Sequence, residues 1–191
     1  MKASAIVAAI GVGVLATALA KPANLPGGWL QTGPAKTCEG QVVPASGAPS
    51  PKVFSIDCKP GTEGFSTLMQ QIGSGDYAGK RVRLTAQVRG EQAGPGWGGL
   101  WMRADSGQRP GTAFDNMNDR PLRGNFGWQT AQVVLDIPAD ATTLSFGFLL
   151  EGAGQLQATA FNLEVVPATT AVTGKGPIQV LPSQPSHLTP P

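Results

Sequence analysis

Histidine is almost missing from this chain. The one histidine, His187, stands among prolines near the end. The commonest general base is therefore absent from every stretch patterned to fold, and a Ser-His-Asp triad has no imidazole to work with. Cysteine is scarce as well: Cys38 and Cys58 are the two. With one histidine in the tail they are too few for a structural zinc site, which takes four such ligands. Charged residues make up 14% and the formal net charge is +2, so the basic stripe that nucleic acid requires is lacking. After residue 20 no apolar run approaches the roughly 20 residues of a membrane span. Long helical periodicity is missing too, and the high counts of 26 Gly and 17 Pro favour turns.

The start of the chain reads as an export signal. Met1 and Lys2 give a short basic opening, and Ala3 to Ala20 is uncharged and built mostly from Ala, Val, Ile, Leu and Gly. The stretch closes on Ala18-Leu19-Ala20, with small residues where signal peptidase requires them, so residues 1–20 are expected to be cleaved to leave Lys21. An uncleaved anchor is the alternative. No Cys follows the apolar run, which excludes lipoprotein processing. The expected destination is the periplasm or the exterior. An even pair of cysteines in such a chain reads as a Cys38–Cys58 disulfide. Closing a loop of about 20 residues stabilises a fold by roughly 3 kcal/mol in the chain-entropy model.

The rest divides by composition. Residues 21–36 are rich in Pro and Gly and read as an irregular segment. Residues 37–166 read as one domain of short strands. Residues 53–58 and 65–72 are strand candidates, the second bounded by Gly64 and Gly73. Residues 80–89 alternate most clearly: Val82, Leu84, Ala86 and Val88 face one way, and Arg81, Arg83, Thr85, Gln87 and Arg89 the other. Residues 100–105, 129–137, 144–150 and 155–166 continue the pattern, with Pro138 ending one strand. Strands separated by turn signals predict an all-β sandwich of antiparallel strands in a single domain. Residues 167–191 hold six Pro, with only Lys175 and His187 able to carry side-chain charge, and read as a disordered tail or linker.

Several strand motifs carry a resemblance. FSTLMQQIGSGDYAGKRVRLTAQVRG resembles the strand signature of jelly-roll carbohydrate-binding modules and galactose-binding-like domains. WGGLWMRADSG, FDNMNDRPLRG and VVLDIPADATTLSFGFLLEGAGQ are similar to a little-characterised bacterial domain. That domain occurs alone in exported proteins or attached to AraC-type and other helix-turn-helix regulators. The similarity covers about residues 60 to 166 and implies a jelly roll, with no established reaction. One departure stands out. Thr159 and Ala160 occupy positions where such modules place carboxylates for a structural calcium, so no metal or other cofactor is expected.

The motif-level candidates for catalysis are weak. Gly94, Gly96 and Gly99 match a dinucleotide-binding pattern in form, but a strand follows where the mechanism needs a helix. Asp115 with Asp119, or Glu151 with Asp105, offer paired carboxylates, which a retaining glycosidase holds about 5 Å apart. Loop Asp residues more often cap turns. Met69, Met102 and Met117 read as core fillers. The expectation is a protein that is not an enzyme.

Residues 97–137 are the best candidate for recognition. They hold three of the four Trp and a dense polar loop containing Asp115, Asn116, Asn118, Asp119, Arg120 and Arg123. Alternation puts Trp101 and Arg103 opposite Leu100 and Met102. A ligand site is therefore expected at Trp101, Arg103, Asp115, Asn116 and Arg120. Trp101 would stack on a sugar ring, the loop would bind hydroxyls, and Arg103 with Arg120 would clamp a carboxylate. An ion pair of Arg103 with Asp115 or Asp119 is the structural alternative, and Trp97 and Trp128 read as core or end-sealing residues. The expected partner is a carbohydrate or related envelope polymer, and an envelope protein is the competing one.

Overall fold

The computed structural model describes residues 25–92, 94–107 and 109–174. The expected signal peptide at 1–20 lies outside them, as do residues 175–191 with Lys175 and His187.

Ten strands and no helix make up the described chain. They are β1 (Leu30–Thr32), β2 (Cys38–Pro44), β3 (Lys52–Cys58), β4 (Phe65–Gly73), β5 (Arg81–Gln92), β6 (Trp97–Ser106), β7 (Arg109–Asp115), β8 (Phe126–Asp136), β9 (Thr143–Glu151) and β10 (Gly154–Val165). They form two five-stranded antiparallel sheets. Sheet A runs β1-β4-β9-β6-β7 and sheet B runs β2-β3-β10-β5-β8. The protein is an all-β jelly-roll sandwich.

The period of two in each strand builds the core between the sheets. Sheet A contributes Leu68, Leu100, Met102, Leu144, Phe148 and Leu150, and sheet B contributes Ile56, Val82, Leu84, Val133, Leu135 and Leu156, all essentially without solvent contact. At about 25 cal/mol per Å² of apolar surface, each such side chain is worth roughly 1.5–3 kcal/mol against exposure. A second, smaller apolar cluster of Met69, Trp101 and Leu149 lies on the far face of sheet A, with Trp97 packed against it.

Three strands lie where no strand was expected. β1 pairs with β4 inside the segment read as irregular, matching Leu30 to Met69 and Thr32 to Thr67. Its Gln31 ties the sheets together, donating to the Cys38 carbonyl and the Ser66 hydroxyl and accepting the Gly40 N–H. β2 pairs with β3 so that Cys38 and Cys58 stand opposite each other, and the two are joined by a disulfide. β7 runs through residues read as loop, which makes Asp115 a strand terminus. These short strands lack the apolar alternation of a half-buried strand, and pairing at sheet edges supplies their order.

The chain also stays on the sandwich past Pro167. Arg81 donates to the Ala168 and Thr170 carbonyls. Thr173 N–H donates to the Val134 carbonyl, and its hydroxyl accepts the Val134 N–H at 2.7 Å. Residues 167–174 thus belong to the folded domain, eight residues further than composition suggested. Val134 looks away from the core, and this strap covers it.

Candidate functional site

The outer face of sheet A carries a groove of about 460 Å³. Strand register sets its rows. Phe65, Glu151 and Trp97 form one row across β4, β9 and β6. Thr32, Thr67 and Leu149 form the next, Met69, Gly147 and Trp101 the third, and Gln71, Ser145, Arg103 and Phe114 the fourth. Residues from the first to the fourth row line the groove, joined by Asn116 from the turn after β7.

Trp101 is the floor. Its register partner is Gly147, yet its indole N–H reaches Thr67 Oγ1 on β4 at 2.7 Å. The ring therefore crosses β9 where Gly147 has no side chain to obstruct it. A Cβ at Gly147 would meet the Leu68 carbonyl oxygen at 2.1 Å, so only glycine fits. Thr67 in turn donates to the Phe148 carbonyl at 2.8 Å. Met69, Leu149 and Trp97 enclose the ring, leaving Trp101 8% exposed. An open stacking platform at Trp101 is thus corrected to a floor that is mostly covered. The exposed aromatics of the groove are Phe65 and Phe114, at 38% and 40%.

Two expected polar residues join Trp101 here. Arg103 lines the groove and is held by Asp105 on its own strand face, with Nη2 to Oδ2 at 3.0 Å. Asn116 lines it too, its side-chain oxygen accepting the Asn118 N–H in a turn. Asp115 and Arg120 do not join them. Asp115 follows Phe114 on β7 and so points to the other face, where it is buried. It accepts the Met117 N–H at 2.8 Å, the Arg120 guanidinium at 2.5 Å and the Thr173 hydroxyl at 2.7 Å. Arg120 also binds Asp119 and the Thr173 carbonyl. Burial lowers the Arg120 pKa and is the largest single influence. Asp115 and Asp119 together outweigh it, so the guanidinium stays charged with its pKa above its ordinary value. This cluster fastens the strap. The clamp of Arg103 with Arg120 on a ligand carboxylate is therefore lost, and Arg103 pairs with Asp105 rather than Asp115 or Asp119.

The carboxylate pairs fare no better as catalysts. Asp115 is saturated with donors. Glu151 and Asp105 sit in rows eight residues apart along β9 and β6, about 27 Å at ~3.4 Å per residue. Met102 and Met117 pack in the core, and Met69 lies under the groove. Met117 adopts φ 62° in the turn, with its sulfur accepting the Leu100 N–H.

Sequence reading missed Phe65, Thr67, Met69, Phe114 and Leu149. The signal for Leu149 was slight: in residues 144–150 the face opposite Leu144, Phe146, Phe148 and Leu150 carries Ser145, Gly147 and Leu149, so Leu149 is its one large apolar side chain. Phe114 was hidden because its strand was read as loop.

No family model matches the chain. One curated relative, the uncharacterized HTH-type transcriptional regulator YbfP of Bacillus subtilis, is 40% identical over 94 residues, 48% of this chain and 31% of that protein. The chain thus spans about a third of the length of the curated relative it matches. Among solved structures, the xylan-binding domain from CBM 22 superposes with a TM-score of 0.55 at 13% identity, over 80% of this chain and 94% of that one. The C-terminal family 22 carbohydrate-binding module of Clostridium thermocellum Xyn10B gives 0.54 at 13%, over 73% and 87%. The enzymatically active domain of bacteriophage CBA120 tailspike protein 4 gives 0.55 at 11%, but the match is 73% of this chain and only 20% of that one. At these identities the likeness establishes the fold: this chain has the jelly-roll architecture of carbohydrate-binding modules.

Proposed function

We propose that this domain is a non-catalytic, exported binding module whose groove on sheet A takes a glycan chain. The observation that carries the reading is the groove itself. A Trp-floored trough bears exposed Phe65 and Phe114 for sugar faces, and Arg103, Asn116, Thr32 and Glu151 for hydroxyls. Mostly apolar walls with a few placed polar groups suit a small-molecule site. Solved structures of the same fold include modules named for xylan binding, so xylan is the first polysaccharide to try. Export is supported by the signal-like residues 1–20 and by the disulfide, which persists in oxidising compartments.

Affinity electrophoresis through gels containing xylan, glucomannan or β-glucan tests the reading. Retardation by at least one polymer, reduced in Phe114→Ala, is expected. Unchanged mobility in every gel, with Phe114→Ala identical to wild type, removes the glycan reading. The competing reading, a segment of an envelope protein seated in the groove, is favoured by the two exposed Phe side chains. Crosslinking from Phe114 in whole cells would then recover protein and no glycan.

A further inference from the structure

Trp128 is the tryptophan that the fold does not account for. Trp29 packs on Phe54 and Phe161, with ring centroids 4.1 and 5.0 Å away. Trp97 and Trp101 belong to the groove. Trp128 joins neither apolar cluster of the described residues, and it is half-buried beside the polar Arg89, Gln87 and Thr130. Of the two roles expected for it, core packing or sealing an end of the sandwich, core packing is corrected accordingly.

Its position is set by a bulge. Between β5 and β8 the register runs from Val88 opposite Gln129 to Gly90 opposite Phe126. β8 therefore advances one residue more than β5, and Gly127 and Trp128 share the place opposite Arg89. Such bulges re-aim a side chain and are over-represented beside functional sites. Trp128 here lines a cleft of about 500 Å³ on the outer face of sheet B with Arg89, Glu91, Asn125, Phe126 and Ser46.

The chemistry around it is balanced. Arg89 is held by Glu91 at 2.5 Å. Register continues the face from Arg89 through Gln157 to Ser55, and from Glu91 through Gln155 and Asp57 to Glu39. A second open hollow, which shares Glu91, adds Lys36 and Lys59. Arg89, Lys36 and Lys59 therefore offset Glu39, Asp57 and Glu91. A polyanion meets no net positive field here, and a protein partner finds no extended apolar patch. A flat aromatic surface beside paired donors and acceptors is what a neutral sugar ring requires.

We propose that the Trp128 cleft is a second glycan site, on the sheet opposite the groove, taking a neutral pyranose unit. One ring face lies on Trp128, and the Arg89–Glu91 pair and Asn125 bind its hydroxyls. Two sites facing away from each other let one module hold two polymer chains, or two stretches of one, and strengthen binding through effective concentration. The proposal stands independently of the groove.

The test is a titration of the 15N-labelled protein, following the four indole N–H signals, with xylohexaose, cellohexaose and tetragalacturonate as separate probes. Assignment comes from single Trp→Phe variants. The expected result is a saturable shift of the Trp128 indole and the Gly127 amide with a neutral probe. The Gly127 amide shift should be lost in both Arg89→Ala and Trp128→Ala, and the Trp128 indole shift in Arg89→Ala, while any response of Trp97 and Trp101 persists. A response confined to Trp97 and Trp101 overturns this proposal and leaves the groove reading standing. A response confined to Trp128 does the reverse. A Trp128 shift with tetragalacturonate alone overturns the assignment to a neutral sugar, and no shift with any probe overturns both sites. The wild-type titration decides the matter even if a variant fails to fold.

Discussion

The indole N–H of Trp101 on β6 donates to the hydroxyl of Thr67 on β4, 2.7 Å away across β9. This bond turns a side chain from the outer face of the sheet into a structural part. Removing the ring opens a large hole between Met69, Leu149 and Trp97. Trp101→Ala should cost about 3–5 kcal/mol in chemical denaturation. Trp101→Phe should cost less, keeping most of the packing and losing one hydrogen bond worth about 1 kcal/mol. A loss under about 1 kcal/mol for the alanine variant would show that the ring is a surface platform after all.

Phe65 and Phe114 are the better probes of binding, because both are more than a third exposed. Each alanine variant should unfold within about 1 kcal/mol of wild type. Each should weaken glycan binding by about 1–3 kcal/mol, by analogy with stacking on aromatic platforms. Calorimetry on a retarding polysaccharide measures the second quantity, and unaltered affinity in both variants counts against the groove.

Arg120 balances the carboxylate of Asp115, whose side chain is 4% exposed. Arg120→Ala leaves that charge buried with only Thr173 and a backbone N–H, and should cost about 3 kcal/mol. Adding Asp115→Asn should restore part of the loss, because the uncompensated charge is gone. Additive losses in the double-mutant cycle would mean that the two groups are not coupled.

The disulfide closes β2 onto β3 with a sequence separation of 20. Replacing Cys38 and Cys58 together with Ser should lower stability by about 3 kcal/mol without moving the groove, which lies on the other sheet. Equal melting temperatures with and without reductant would contradict this.

Arg81 holds Asp136 through two bonds of 2.7 and 2.8 Å. The hydrogen bond from Arg81 outweighs desolvation and keeps the Asp136 pKa below the usual carboxylate value. A carboxylate lowered on folding stabilises the protein above its unfolded pKa, about 3.9. The contribution disappears as pH falls through the folded value. The melting-temperature difference between wild type and Asp136→Asn should therefore be steady from pH 7 to 5 and vanish in strong acid. It should be small, since both partners touch solvent. A difference that grows in acid has the wrong sign for this pair.

The sequence by itself determined the fold class, the disulfide and the core faces of the long strands. Each follows from local rules: alternation assigns Val82, Leu84 and Val133 to one side, and two cysteines permit one intramolecular pairing. Trp101 and Arg103 were legible as neighbours because they lie on one strand face, and Asn116 joins them because β7 folds back on β6. Asp115 and Arg120 were misplaced because a loop-like composition hid the strand that turns Asp115 inward. The Phe65–Phe114 rim, the path of Trp101 over Gly147 and the strap at Thr173 depend on strands far apart in the chain. The pairing of β4 with β9, β9 with β6 and β6 with β7 builds the groove, and the bonds of Thr173 to Val134 and Asp115 set the strap; register is a property of the assembled sheet, not of any one strand.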